Sequence, residues 1–175
     1  CILSVMLMAL SVVYAAKDTL VLTVPVPERK VVATYNPPFI DEGNGFWVFV
    51  YDTLIGLTPD LKPEVPLLAE SWDISEDQKT VTVHLRKSVK FHDGSIFTAR
   101  DVKASIELIA HPKLANRNVN FLPPFQTLIG YEDFASGKTN EIRGIKIIDD
   151  YTVQFIHQKP NGTFLLGLGI SPMMP

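Results

Sequence analysis

The stretch Val89-Lys90-Phe91-His92-Asp93-Gly94-Ser95-Ile96-Phe97-Thr98-Ala99-Arg100-Asp101-Val102 limits the possible folds more than any other part of the chain. It reads as extended segment, tight turn and helix start in immediate succession. Asp93-Gly94 is a turn signal, because Gly takes φ > 0 without steric cost. Thr98 is placed as a helix N-cap, and Asp101 is spaced to return the contact and to favour the positive helix end. Ala99, Val102, Ile106 and Ile109 recur at helical spacing and predict a buried stripe. The helix runs to about Ala110 and stops before Pro112. Val89 and Phe91 fall on one side of the preceding extended segment. On residue types alone this is a corner that fixes a fold, with Phe91, Asp93, Gly94, Thr98, Ala99, Asp101 and Val102 as its working parts.

The chain has 175 residues, enough for one core or for one lobe of something larger. Its net charge is −3 and it has no basic cluster, which argues against nucleic acid as a partner. Its single cysteine, Cys1, excludes an intramolecular disulfide and a multi-Cys zinc site. Cys1 to Leu10 is almost unbroken apolar sequence, and Ser11 to Ala16 leads to polar Lys17-Asp18-Thr19. This reads as the apolar and cleavage regions of an incomplete secretory signal peptide over residues 1–16, with cleavage after Ala15 or Ala16. The run is short for a membrane span. Cys1 precedes it, so no lipid-anchoring role is assigned to that residue.

Thr19 to Val24 alternates as a strand and is ended by Pro25 and Pro27. Phe46 to Ile55 is apolar almost all round, which predicts a buried helix ended by Gly56, with a buried strand as the alternative. Thr58 to Pro63 is a turn. Thr80 to Arg86 alternates strictly, with Val81, Val83 and Leu85 inward and Thr82, His84 and Arg86 outward, and it forms a hairpin with the segment of Trp72 and Ile74. Lys113 to Gln126 reads as loop with one short helix. Tyr131 to Lys138 reads as a short helix capped by Gly137. Ile145 to Ile148 and Tyr151 to Ile156 form a second hairpin that turns at Asp149-Asp150. Pro160-Asn161-Gly162 turns the chain into a short helix from Thr163.

Catalytic constellations are not visible. The sequence lacks Gly-x-Ser-x-Gly, His-Glu-x-x-His, a Walker loop and Gly-x-Gly-x-x-Gly. Its four histidines, at 84, 92, 111 and 157, are not paired at metal-ligand spacing. No metal and no cofactor are expected. His92-Asp93 has the form of an acid–base dyad, but a turn in which Asp93 bonds local backbone N–H groups is the simpler account. Phe46 and Trp47 are suited to stacking on a sugar ring or a peptide side chain, with core packing as the competing use.

The central stretch, extended back to Leu85-Arg86-Lys87-Ser88, resembles a signature of the extracytoplasmic solute-binding proteins of family 5, the receptors of peptide and nickel ABC transporters. That signature runs leu-arg-x-gly-val-lys-phe-x-asp-gly-x-pro-phe-thr-ala-x-asp-val. This chain departs from it at Ser88, where Gly is usual, and at Ile96, where Pro is usual. Pro66-Leu67-Leu68-Ala69-Glu70-Ser71-Trp72 and Leu54-Ile55-Gly56-Leu57 resemble further family segments. The resemblance implies an α/β fold of the periplasmic binding protein-like class II type, of which this chain carries the N-terminal part. Residues 17–55 would open the large lobe, and residues 56–175 would form a smaller, hairpin-rich second lobe before any return to the large one. It also implies an exported, monomeric receptor, periplasmic or on the outer face of the cytoplasmic membrane. Such a receptor captures oligopeptides or dipeptides by lobe closure and delivers them to membrane permease subunits without turnover. Oligosaccharide or nickel receptors of the same family and an exported hydrolase are the alternatives. By the same resemblance Tyr35, Asn36, Glu42 and Asn44 follow the first strand where family members touch ligand. Asn118 lies in the loop after the central helix. With Phe46 and Trp47 they are the candidate ligand-binding residues.

Overall fold

The computed structural model describes the backbone of residues 13–16 and 19–22, and residues 51–113 and 123–174 with their side chains. Strand β1 (Val13–Ala16) pairs antiparallel with β2 (Thr19–Leu22), Val13 opposite Leu22 and Ala16 opposite Thr19. The expected strand from Thr19 is therefore present. Val13–Ala16, read from sequence as part of a cleavage region, is extended and paired, while the apolar run before it lies outside the described residues. This hairpin belongs to a compact unit of its own, Cys1–Thr34, and the rest of the fold to a second, Tyr35–Pro175.

The second unit corrects one expectation. The helix read over Phe46–Ile55 is absent from its described part: Tyr51 to Thr53 are irregular, and Ile55 opens strand β3 (Ile55–Leu57). β3 pairs with β4 (Pro63–Pro66) across the turn at Thr58–Lys62. The turn is tied by the Thr58 N–H to Lys62 O (2.9 Å), the Leu61 N–H to Thr58 O (2.8 Å) and the Lys62 N–H to Thr58 Oγ1 (3.0 Å). An unbroken apolar run fits a buried strand as well as a buried helix, and a tight turn just beyond it supplies a strand partner. Gly56 is therefore not a helix cap. It lets β3 lie close to β4, since a Cβ there would sit 3.0 Å from the Val65 Cβ.

The main sheet has four antiparallel strands in the order β5-β6-β8-β7. β5 (Ala69–Ile74) and β6 (Thr80–Leu85) are the first expected hairpin. Helix α1 (Ala99–Ala110) follows, then a 3-10 turn at Pro123–Phe125 and the short helix α2 (Tyr131–Ala135). β7 (Ile145–Asp149) and β8 (Thr152–Ile156) are the second hairpin, and helix α3 (Phe164–Ile170) comes last. The two hairpins join along β6–β8, with Thr80 opposite Ile156, Val83 opposite Val153 and His84 opposite Thr152.

Alternation decides the faces. Val81, Val83 and Leu85 of β6 and Val153 and Phe155 of β8 are buried in one core with Val102, Ile106 and Ile109 of α1, which packs on β7 and β8. The opposite face carries Thr82, His84 and Gln154. Gln154 Nε2 donates to Thr82 Oγ1 (3.2 Å), and His84 Nε2 lies 3.1 Å from Asp73 Oδ2. Phe125 and Phe164 meet edge to face at 5.9 Å, and Phe164 lies 5.0 Å from Phe155. All three are fully buried, each stabilising the fold by about 2–3 kcal/mol relative to an exposed side chain.

The short α2 persists because its end is closed. Gly137 takes φ 77°, its N–H donates to Phe134 O (2.9 Å), and the Lys138 N–H donates to Asp133 O (2.8 Å), the two bonds of a Schellman motif. A second glycine is required by close approach. Gly144 receives the Ile156 N–H on its carbonyl and donates its own N–H to Ile129 O, each at 2.7 Å. A Cβ at position 144 would sit 2.6 Å from Ile156 O and 2.7 Å from Ile129 N, so two backbones would have to separate. Gly144→Ala is expected to lower stability by about 2–3 kcal/mol. Gly162→Ala, where a Cβ meets nothing within 4 Å, is expected to change it by less than about 0.5 kcal/mol. Urea unfolding midpoints at unchanged m-value measure both.

Candidate functional site

The corner singled out in the sequence is a small hairpin that ends in a capped helix. Phe97 N–H donates to Val89 O (3.0 Å), Phe91 N–H to Ser95 O (2.9 Å) and Gly94 N–H to Phe91 O (2.9 Å), and Lys90 pairs with Ile96. Gly94 closes this turn at φ 89°. Asp93 Oδ1 accepts from the Ser95 hydroxyl (2.7 Å) and the Ser95 N–H (2.9 Å). The hydroxyl contact, then the backbone one, holds the Asp93 carboxyl below the ordinary carboxylate range. Asp93 therefore sits as an ionised turn anchor rather than as the partner of a catalytic histidine. Phe91 and Phe97 close the hairpin edge to face at 5.7 Å, with Phe97 buried.

Thr98 caps α1 reciprocally. Its Oγ1 accepts from the Arg100 N–H (3.3 Å), and Asp101 Oδ2 accepts from the Thr98 N–H (2.7 Å) and hydroxyl (2.8 Å). The next amide, Ala99 N–H, donates to Asp150 O (2.9 Å) in the β7–β8 turn, and Leu85 N–H donates to Tyr151 O (2.8 Å). The corner is thereby fixed to the far hairpin. Ala99 and Val102 are fully buried beneath it. Ser88, the position where the related signature carries Gly, has φ 68°. That left-handed conformation costs a side-chain-bearing residue more than Gly, which is a physical reason for Gly in the signature.

All seven corner residues thus come together as read from the sequence. The candidate ligand contacts Tyr35, Asn36, Glu42, Asn44, Phe46, Trp47 and Asn118 lie outside the described residues. Among the described residues no group of three or more His, Cys, Asp or Glu is placed to hold a metal ion.

The described residues also form an open cleft of about 460 Å³ at one end of the sheet, between Lys79, Ile129, Glu132, Asp133 and Arg143. Arg143 Nη2 lies 3.5 Å from Asp133 Oδ2, and Lys138 Nζ lies 3.9 Å from Asp133 Oδ1. These exposed pairs contribute little, and their mixed signs favour neither an anion nor a cation.

His157, at the edge of this cleft, was not marked by sequence reasoning. The signal was present: His157 continues the inward alternation of Val153 and Phe155. It is 2% exposed, its Nδ1 lies 2.8 Å from Thr127 Oγ1, and its ring meets Phe164 edge to face at 4.4 Å. Burial pulls its pKa down to about 4, so the imidazole is neutral at pH 7.

The corner's energetics are testable by substitution. Thr98→Ala is expected to cost about 1 kcal/mol through the lost cap. Gly94→Val is expected to cost about 1–3 kcal/mol through backbone strain alone, because no atom lies within 4 Å of a Cβ there. Asp93→Ala lowers stability in the same direction. Thermal midpoints unchanged in all three would contradict a structural role for the corner.

Comparison with known proteins bears on residues well beyond this corner. The chain is 34% identical over 143 residues to the dipeptide-binding protein of Escherichia coli K12, which covers 78% of this chain and 26% of that protein. The structure resembles Listeria monocytogenes OppA bound to peptide, with TM-score 0.63 and 26% identity over 72% of this chain and 25% of that one. It also resembles NikZ from Campylobacter jejuni in complex with Ni(L-His), with TM-score 0.57 and 30% identity over 82% of this chain and 25% of that one. The chain spans about a quarter of the length of these proteins. Its mixed helices and sheet have the fold of the corresponding part of periplasmic binding proteins. The model of one family matches residues 64–175, from β4 through the joined hairpins, the corner and α3, and on that match the chain belongs to the bacterial extracellular solute-binding proteins, family 5.

Proposed function

We propose that this chain is part of an extracytoplasmic receptor that captures oligopeptides or dipeptides and delivers them to the permease subunits of an ABC importer. The observation that carries this reading is the 34% identity shared with a dipeptide-binding protein over 78% of this chain. The likeness to a peptide-bound receptor structure supports it further. In this reading residues 17–55 begin the large lobe and residues 56–175 form the smaller one. The receptor is exported by the N-terminal apolar segment and works as a monomer outside the cytoplasmic membrane. It binds reversibly and catalyses nothing.

The described core is closed by Phe97, Phe125, Phe155 and Phe164, each at most 1% exposed. By the family resemblance, recognition is assigned to Tyr35, Asn36, Glu42, Asn44 and Asn118, with Phe46 and Trp47 as stacking residues. Backbone groups of an extended peptide would pair with such loops, and side-chain pockets holding water would tolerate many sequences. A nickel complex is the second reading, favoured by the likeness to a structure that holds Ni(L-His).

The test is a thermal-shift scan of the full-length protein, unfolded and refolded to remove bound solute, against peptide pools, oligosaccharide pools and nickel with histidine. The peptide reading predicts a rise with peptides alone; at a hundredfold excess over Kd, binding adds about 2.7 kcal/mol. A rise with nickel and histidine alone would replace it with the nickel reading. A rise with oligosaccharides alone would move the weight to Phe46 and Trp47 as stacking residues.

A further inference from the structure

Helix α3 has little to support it by itself. It has seven residues, Phe-Leu-Leu-Gly-Leu-Gly-Ile, and two of them are interior glycines. Each such glycine weakens a helix by about 1 kcal/mol relative to Ala. Its N-cap, Thr163, makes no side-chain capping bond. So short a helix does not persist on its own.

Packing holds it instead, and the glycines show where. A Cβ at Gly167 would sit 2.3 Å from the Pro124 Cβ, and one at Gly169 would sit 2.6 Å from Leu57 Cδ2. α3 is therefore pressed against the 3-10 turn on one side and β3 on another. It joins the main sheet to the β3–β4 hairpin through Phe164, which rests on Phe125, Phe155 and His157.

The polar groups at this contact are matched for one protonation state. Asn161 Nδ2 donates to Pro124 O (2.8 Å) and to Thr127 Oγ1 (2.9 Å), and Thr127 Oγ1 is the partner of His157 Nδ1. His157 Nε2 is buried without a hydrogen-bond partner among the described residues. A neutral ring meets this arrangement in either tautomer with one unmatched nitrogen. An imidazolium would place a charged, buried N–H there with no acceptor among the described residues, beside the Phe164 ring.

We propose that α3 is a latch released by acid: protonation of His157 undocks Phe164 and frees α3 from the 3-10 turn and from β3. The charged groups around this point are Lys79 ahead of β6, Glu132 and Asp133 on α2, and Arg143 ahead of β7. All line the outer cleft, and none bonds the imidazole. Lys79 contributes its carbonyl, which accepts the His157 N–H (2.7 Å). α3 itself carries no titratable side chain. His157 is the buried ionisable side chain at this contact.

The sign follows from linkage. His157 is harder to protonate in the folded chain than in the open one. Above about pH 6.5 both forms are neutral there and the latch is at full strength. As pH falls, the open form takes up a proton that the closed form refuses, and opening becomes more favourable until the closed form titrates as well.

The test is amide hydrogen exchange of α3 in the full-length protein from pH 7 to pH 4, corrected for intrinsic rates, together with NMR titration of the His157 ring. The latch predicts an opening constant for α3 that rises on the order of 100-fold over this range, and a His157 that remains neutral well below pH 6. His157→Gln is expected to flatten the pH dependence. His157→Phe, which keeps a ring against Phe164, serves the same purpose if the Gln variant does not fold. An α3 opening constant independent of pH, a His157 titrating near its ordinary value, or an undiminished pH dependence in the folded variant would overturn the proposal.

Discussion

The pairing of β6 with β8 is the constraint on which the second unit depends. Each hairpin is local, and an isolated hairpin is marginal in water. Joined from Thr80–Ile156 to His84–Thr152, the two become one four-stranded sheet with a single apolar face. That face gives α1 a surface to bury, and it sets Phe155 against Phe164 and the 3-10 turn. It also brings Asp150 to the first amide of α1, so that corner and seam fix one another. Some seventy residues separate the paired strands, and closing so long a loop costs entropy that only the shared core repays.

This explains what could be read in advance. The corner was legible residue by residue because its determinants are local: Gly94 for the turn, Thr98 with Asp101 for the cap, Ala99, Val102, Ile106 and Ile109 for the stripe. Both hairpins were legible from alternation. Their joining was not, because β6 and β8 carry similar patterns and nothing local states which strand meets which. β3 was misread because an unbroken apolar run has no period to consult, and the deciding information lay in the turn beyond it. His157 escaped because a histidine among inward positions looks, in one sequence, like any scattered histidine. The residues proposed to touch ligand rest on family resemblance, and they fall outside the described part of the fold.

In the proposed reading, the packed sheet holds its shape while recognition falls to loops outside the described residues. The described sheet, α1 and the corner are closed by packing and by paired backbone groups. The cleft beside Arg143 is open and of mixed charge, as a solvated sheet end is expected to be. α3 stands between these extremes: it is packed through Phe164, Gly167 and Leu168, yet has little intrinsic stability of its own. That combination suits an element whose docking responds to conditions, while the β6–β8 seam stays intact.

The most direct measurement of this division is amide hydrogen exchange of the full-length protein with and without a saturating mixture of di- and tripeptides. The account predicts increased protection in residues 35–47 and around Asn118, with the β6 and β8 amides unchanged. Protection that rises chiefly in β6, β8 or the cleft beside Arg143, with the loops unaffected, would contradict it.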